Sequence, residues 1–176
     1  MSPRLPPAGL GELGAVNWVL CRVIALAQGV PEAHLFTTLG RQRGLFRSWL
    51  LYSARLMPGG SLSRKETELV ILRIAHLRDC QYERDHHVKL GRRVGITAAL
   101  LQAIEVGPSS EELNERQRAI LAAVDDLVRT KNISDANWRS LRQHLQSPQI
   151  VELCLLVGQY ETLATTIATL GIQRDF

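Results

Sequence analysis

The feature that most restricts the fold of this chain is its punctuation. From residue 63 onward, side chains that cap helices stand in front of apolar segments of helical period, and strand-like alternation is almost absent. Ser63 with Glu66 makes a capping box before "TELVILRIAHL". Asp79 is placed to cap the next helix, which is expected to run to about Val94 and stop at Gly95. Thr97 opens the short "AALLQAIE", closed by Gly107 and Pro108. Asn114 with Gln117 opens "ERQRAILAAVDDLVRT", where Ile120, Val124, Leu127 and Val128 keep helical spacing. Ser134 begins "DANWRSLRQHL", and Ser147 before Pro148 reads as a cap and first-turn proline for a long final helix. With helices expected near 13–28 and 43–55, the chain reads as all-α.

Composition narrows the class. A chain of 176 residues, 45% hydrophobic, has enough apolar material for one core, so a single domain is expected over residues 1–176. The formal charge of +4 is spread along the chain, aromatics make up 5%, and there is no paired-cysteine finger and no glycine-rich phosphate loop. Nucleic acid is not an expected partner. Cys21, Cys80 and Cys154 are odd in number and far apart, which points to a reducing compartment and a cytoplasmic location. The N-terminal apolar stretch lacks a convincing cleavage pattern, and Glu152, Gln159 and Glu161 interrupt the apolar "IVELCLLVGQYETLATTIATLGI". The latter is expected to be a buried helix of a soluble protein, with no membrane partner.

The densest chemistry is "DCQYERDHH" at 79–87. At 100° per residue, Cys80, Glu83, Arg84, His87 and Gly91 share one sector, while Tyr82, Asp85, Lys89, Arg92 and Arg93 lie on the other side. His86 is expected to face solvent or a neighbouring subunit. On the preceding helix Glu68 shares a sector with Ile71, Leu72 and Ala75, and Arg73 and Glu66 point nearly the opposite way. A short connection makes the two helices antiparallel neighbours, which lets Glu68 approach the Cys80, Glu83 and His87 row.

Burial then dictates chemistry. Two nearby buried carboxyls do not both ionise cheaply, so one of Glu68 and Glu83 is expected to stay protonated. Cys80, just after the expected cap, lies where free amides favour a thiolate. His87 would act through packing or a bridging water. The structural alternatives are a Glu68 paired with arginine, an inert buried Cys80 and a satisfied core His87. Cys21 and Cys154 read as core residues.

"SRKETELVILRIAHLRDCQYERDHHVKLGRRVGIT" resembles the core of the carboxymuconolactone decarboxylase superfamily, which includes alkyl hydroperoxidase D-like proteins, and the likeness extends over roughly residues 35–172. It implies an alkyl hydroperoxidase D-like helical bundle, residues 1–34 as an N-terminal extension, and a homo-oligomer. In the hydroperoxidase-like branch a glutamate is followed after eleven residues by C-x-x-C-x-x-x-H, and Glu68, Cys80 and His87 occupy the corresponding positions. The cysteine matching position 83 attacks peroxide there, the one matching Cys80 resolves the disulfide, and the glutamate and histidine relay protons. Here Glu83 replaces that cysteine, and Tyr82 stands where the hydroperoxidases often carry histidine. Tyr82, Glu83 and His87 together resemble a Tyr-Glu subgroup of the same superfamily.

The resemblance implies peroxiredoxin-type reduction of a hydroperoxide by Cys80, with Glu68 and His87 moving protons and an external thiol as reductant. The alternative is a cofactor-free lyase or isomerase acting on a small carboxylate or lactone, with Glu83 and His87 as acid and base and Arg84 holding the substrate anion. Tyr82 is a further candidate substrate contact. Neither reading requires a cofactor or metal. A third uses Glu68, Glu83 and His87 as ligands of a divalent metal, and a fourth is a non-catalytic oligomer in which the polar row only specifies packing.

Overall fold

A computed structural model describes residues 3–176. It is all-α among the described residues: α1 (Leu10–Gln28), α2 (His34–Leu39), α3 (Arg43–Leu56), α4 (Arg64–Leu77), α5 (Gln81–Arg93), α6 (Ala98–Val106), α7 (Glu115–Thr130), α8 (Asp135–His144) and α9 (Ser147–Leu170). These helices form two compact units, one comprising the chain up to Arg55 with Thr165–Phe176, the other Leu56–Ala164.

In the first unit Ala8, Leu13, Cys21 and Phe46 form a core, against which Phe36, Leu39 and Trp49 pack. Asn17 is buried on α1 and donates through Nδ2 to the carbonyls of Gly40 (3.0 Å) and Arg43 (3.3 Å), tying α1 to the α2–α3 junction. The six-residue α2 has no side-chain cap and too few residues to show a period.

The second unit is built around α4, which is buried from Thr67 through Ala75 and packs on α5, α6 and α7. Four of the expected caps form. Ser63 Oγ accepts from the Glu66 amide while Glu66 Oε2 accepts from the Ser63 amide. Thr97, Asn114 and Ser134 likewise accept from Leu100, Gln117 and Asn137. Two boundaries move by one residue. Cys80, not Asp79, precedes the first turn of α5; Asp79 takes a left-handed φ of +49° in the connection and accepts from Gln81 Nε2. Ser147 is the first residue of α9, and the carbonyl of Gln146 before it accepts from the Ile150 amide.

Because α4 is enclosed on all sides, Arg73 is buried too. Its Nε and Nη2 meet the Asp125 carboxylate at 2.6 and 2.7 Å, and Nη1 donates to the carbonyls of Ile104 and Glu105. One guanidinium thus joins α4 to α7 and to the end of α6. Gly107 follows at φ +92°, where a Cβ would run into the Arg73 guanidinium, so both backbone angle and space require glycine.

By length and composition two described helices, α1 and α9, could cross a membrane. The acids that interrupt α9 are used inside the second unit: Glu152 Oε2 accepts from the Ser61 amide and hydroxyl at 2.5 Å, fixing the loop before α4. Glu161 pairs with Arg78 and Lys131.

Candidate active site

The connection between α4 and α5 is short, closed by the Cys80 amide on the Ala75 carbonyl at 2.8 Å. The two helices pack side by side, and Glu68 meets His87: Oε2 lies 2.7 Å from Nδ1. The other ring nitrogen, Nε2, lies 3.2 Å from Glu83 Oε2, one turn back on α5. Arg64, one turn before Glu68 on α4, places Nη2 at 2.5 Å from Glu68 Oε1. Glu68 is 0% exposed, Glu83 4% and His87 5%. Arg64 is the solvent-facing end of the series.

With a carboxylate against each ring nitrogen, only the imidazolium can donate to both. Burial works against that charge, yet the bonds from Glu68 and then Glu83 outweigh it and hold His87 up at about 9. The ring between the two carboxyls thus carries a proton on each nitrogen. Two cations, Arg64 and His87, balance two anions, which is the condition under which buried charge is tolerated. Tyr160 of α9 closes the site, its ring edge-on to His87 with centroids 5.2 Å apart at 84°.

Other candidates are placed differently. Cys80 is buried, and burial pushes its thiol up to about 11; the amides of Glu83 and Tyr82 pull it back by less, and the Glu83 charge adds to the rise. The helix N-terminus does not give the expected thiolate, because desolvation wins. Arg84 is not in the site. One residue beyond Glu83 turns its side chain through a further 100°, where Glu105 of α6 captures it at 2.6 Å. There it borders a separate cavity of about 350 Å³ with Leu72, Val88, Arg92, Ile96 and Leu101. Tyr82 is buried and packs its ring at a tilt against His86, centroids 4.8 Å apart, and His86 is also buried rather than solvent-facing. Cys21 is a core residue as expected, but Cys154 is exposed.

The metal-ligand reading of Glu68, Glu83 and His87 fails on geometry, since the carboxylates contact opposite nitrogens of one ring and do not converge on a common point. Sequence reasoning did not single out Arg64 or Tyr160. The signal for Arg64 was its i, i+4 spacing to Glu68; Tyr160 had none.

Residues 43–126, which contain Arg64, Glu68, Cys80, Glu83 and His87, match the Carboxymuconolactone decarboxylase family. Over this stretch, just under half of its length, the chain carries a carboxymuconolactone decarboxylase family segment. Its fold is shared with an alkylhydroperoxidase AhpD core protein, an uncharacterized peroxidase-related protein from Ralstonia eutropha JMP134 (TM-score 0.81, 18% identity, covering 99% of this chain and 94% of that one). It is shared equally with the debrominase Bmp8 (TM-score 0.80, 13% identity, covering 97% and 91%). Among curated sequences, the uncharacterized protein YdfG of Bacillus subtilis (strain 168) is 23% identical over 101 residues, 56% of this chain and 69% of that one. At the position where the hydroperoxidase-like motif carries its second cysteine this chain holds Glu83, whose carboxylate lies on the His87 ring.

Proposed function

We propose that this chain is an acid–base enzyme of the carboxymuconolactone decarboxylase type, a lyase or isomerase that needs no cofactor and moves a proton on a small carboxylate or lactone. The observation that carries this reading is the Glu68–His87–Glu83 array, in which a buried imidazolium is held between two carboxylates. Glu83 is the base, because its Oε1 is buried and has no hydrogen-bond partner while Oε2 is engaged by His87. His87 supplies the compensating charge and is the acid, and Glu68 orients the ring. Arg64, rather than Arg84, is the arginine that attracts the substrate anion.

The test is deuterium exchange from solvent into a panel of small oxo-carboxylates and lactones, followed by proton NMR. Wild type is expected to exchange at least one of them, and Glu83→Gln to lose about 10²-fold or more in rate. Equal rates in the two proteins would refute the assignment.

A second reading keeps Cys80 as a peroxidatic thiol, favoured by its place before the first turn of α5, where the Glu83 and Tyr82 amides offset part of the rise that burial causes. The sulfur would attack the peroxide O–O bond, release the alcohol and be returned from sulfenic acid by two equivalents of an external thiol. Peroxide consumption with a thiol reductant, compared in wild type and Cys80→Ser, decides it; equal rates exclude it.

Both readings take a small-molecule substrate and a reducing, cytoplasmic setting. They also take a homo-oligomer, a reading supported by Val16, Val19, Val23 and Leu26, which recur at helical spacing along α1 and are all exposed.

A further inference from the structure

We propose that Tyr160 is a further catalytic residue: its phenolic hydroxyl donates a hydrogen bond to the substrate oxygen that gains negative charge as Glu83 removes a proton. The inference rests on the acid–base reading above and adds the group that stabilises the charge this reading creates.

Tyr160 comes from α9, outside the 43–126 stretch that matches the family. It is buried, and its ring meets His87 edge-on. The hydroxyl donates to Met57 Sδ at 3.8 Å. A thioether is a weak acceptor, so a buried phenol is using its donor poorly, whereas buried hydroxyls ordinarily find an oxygen or nitrogen partner. Burial, then the charges of Glu83 and Glu68, push the phenol well above its ordinary value, with Arg64 opposing. The hydroxyl therefore stays protonated across the range in which His87 titrates, and it can act as a donor but not as a base.

Two carboxylate oxygens of the site are buried without a hydrogen-bond partner, Glu68 Oε1, which faces the Arg64 guanidinium, and Glu83 Oε1; Tyr160 Oη is a buried donor with a poor partner, and Glu83 Oε1 and Tyr160 Oη are the pair open to a ligand. A ligand with an acidic hydrogen beside a carbonyl satisfies both. The C–H bond breaks, the proton passes to Glu83 Oε1, and the electron pair moves through the new C=C bond onto the carbonyl oxygen. That enolate oxygen takes the Tyr160 hydrogen bond in place of the sulfur. The phenol keeps its own proton, and Glu83 returns the transferred one to carbon. Nothing is oxidised or reduced. A donor of this kind, aimed where charge develops in a site without bulk water, is among the larger single contributions to catalysis.

An oxyanion probe tests the donor without turnover. 3,4-Dinitrophenolate is titrated into wild type, Tyr160→Phe and Met57→Leu, followed by its visible absorbance band, with thermal midpoints recorded alongside. Wild type is expected to bind saturably, and Tyr160→Phe, which keeps the ring edge on His87, to bind about tenfold or more weakly at an unchanged midpoint. Met57→Leu removes the competing acceptor and is expected to bind at least as tightly as wild type. In exchange assays Tyr160→Phe should lower kcat by about 10²-fold with little change in KM. Equal probe affinity in wild type and Tyr160→Phe, or no saturable binding to wild type, would overturn the proposal. The acid–base reading fails separately, through Glu83→Gln in the exchange assay, because probe binding does not use the base.

Discussion

His87 and Glu68 are joined at 2.7 Å through Nδ1 and Oε2, at the centre of the second unit and away from solvent. Everything distinctive about the site follows from that contact and its mirror on the other side of the ring, where Glu83 Oε2 lies 3.2 Å from Nε2. Two carboxylates fix the tautomeric question by making both nitrogens donors, and Arg64 is the fourth charge, which brings the set to balance.

Stability should depend on pH through His87. Its folded pKa, about 9, lies above the ordinary histidine value, so the protonated ring is favoured by folding. That contribution is fully present below about pH 6.5 and is lost as pH rises through about 9, with a size on the order of 3 kcal/mol. Thermal midpoints measured between these limits are expected to fall with rising pH in wild type and to lose that slope in His87→Phe. An equal slope in both would contradict the assignment.

Removing the Arg73 guanidinium leaves Asp125 buried beside only the outlying Arg129 and frees two carbonyls at the end of α6. Arg73→Met is therefore expected to destabilise the protein by about 3–5 kcal/mol. Denaturant unfolding measures this, and a loss below about 1 kcal/mol would show that the pair does not hold α4, α6 and α7 together.

The two arginines of the motif region should separate. Arg84 is half-buried and committed to Glu105, so Arg84→Met is expected to leave the exchange rate within about twofold of wild type and to cost at most about 1 kcal/mol. Arg64→Met removes the cation next to Glu68 and is expected to raise KM by about tenfold. The reverse order would return the substrate anion to Arg84.

Thiol reactivity should run opposite to the motif. Exposed Cys154 is expected to alkylate with iodoacetamide first at neutral pH, and buried Cys80 and Cys21, both pushed up to about 11, far more slowly. Peptide mass spectrometry gives the order. Cys80 reacting first would favour the peroxidatic reading.

How much of this was legible in the sequence depends on the range of the interaction. Capping is local, and Ser63, Thr97, Asn114 and Ser134 form the bonds their spacing implies. The convergence of Glu68, Glu83 and His87 was also legible, because two helices joined by a short turn leave little freedom in register. Cys80 taking the position expected of Asp79 was not, since it depends on a left-handed residue in the connection. The burial of Arg73 was not legible, because a helical wheel gives only a direction and α4 is buried all round from Thr67 through Ala75. Tyr160 was invisible for a simpler reason: its partners come from α4, α5 and the Met57 loop, and no local pattern on α9 records them.

The central claim is the buried imidazolium, and nitrogen NMR titration of His87 in ¹⁵N-labelled protein reads it directly. The expected result is a ring protonated at both nitrogens at neutral pH, titrating near 9, with a clear fall in Glu68→Gln. A neutral His87 at pH 7 in wild type, or a titration unmoved by Glu68→Gln, would contradict it.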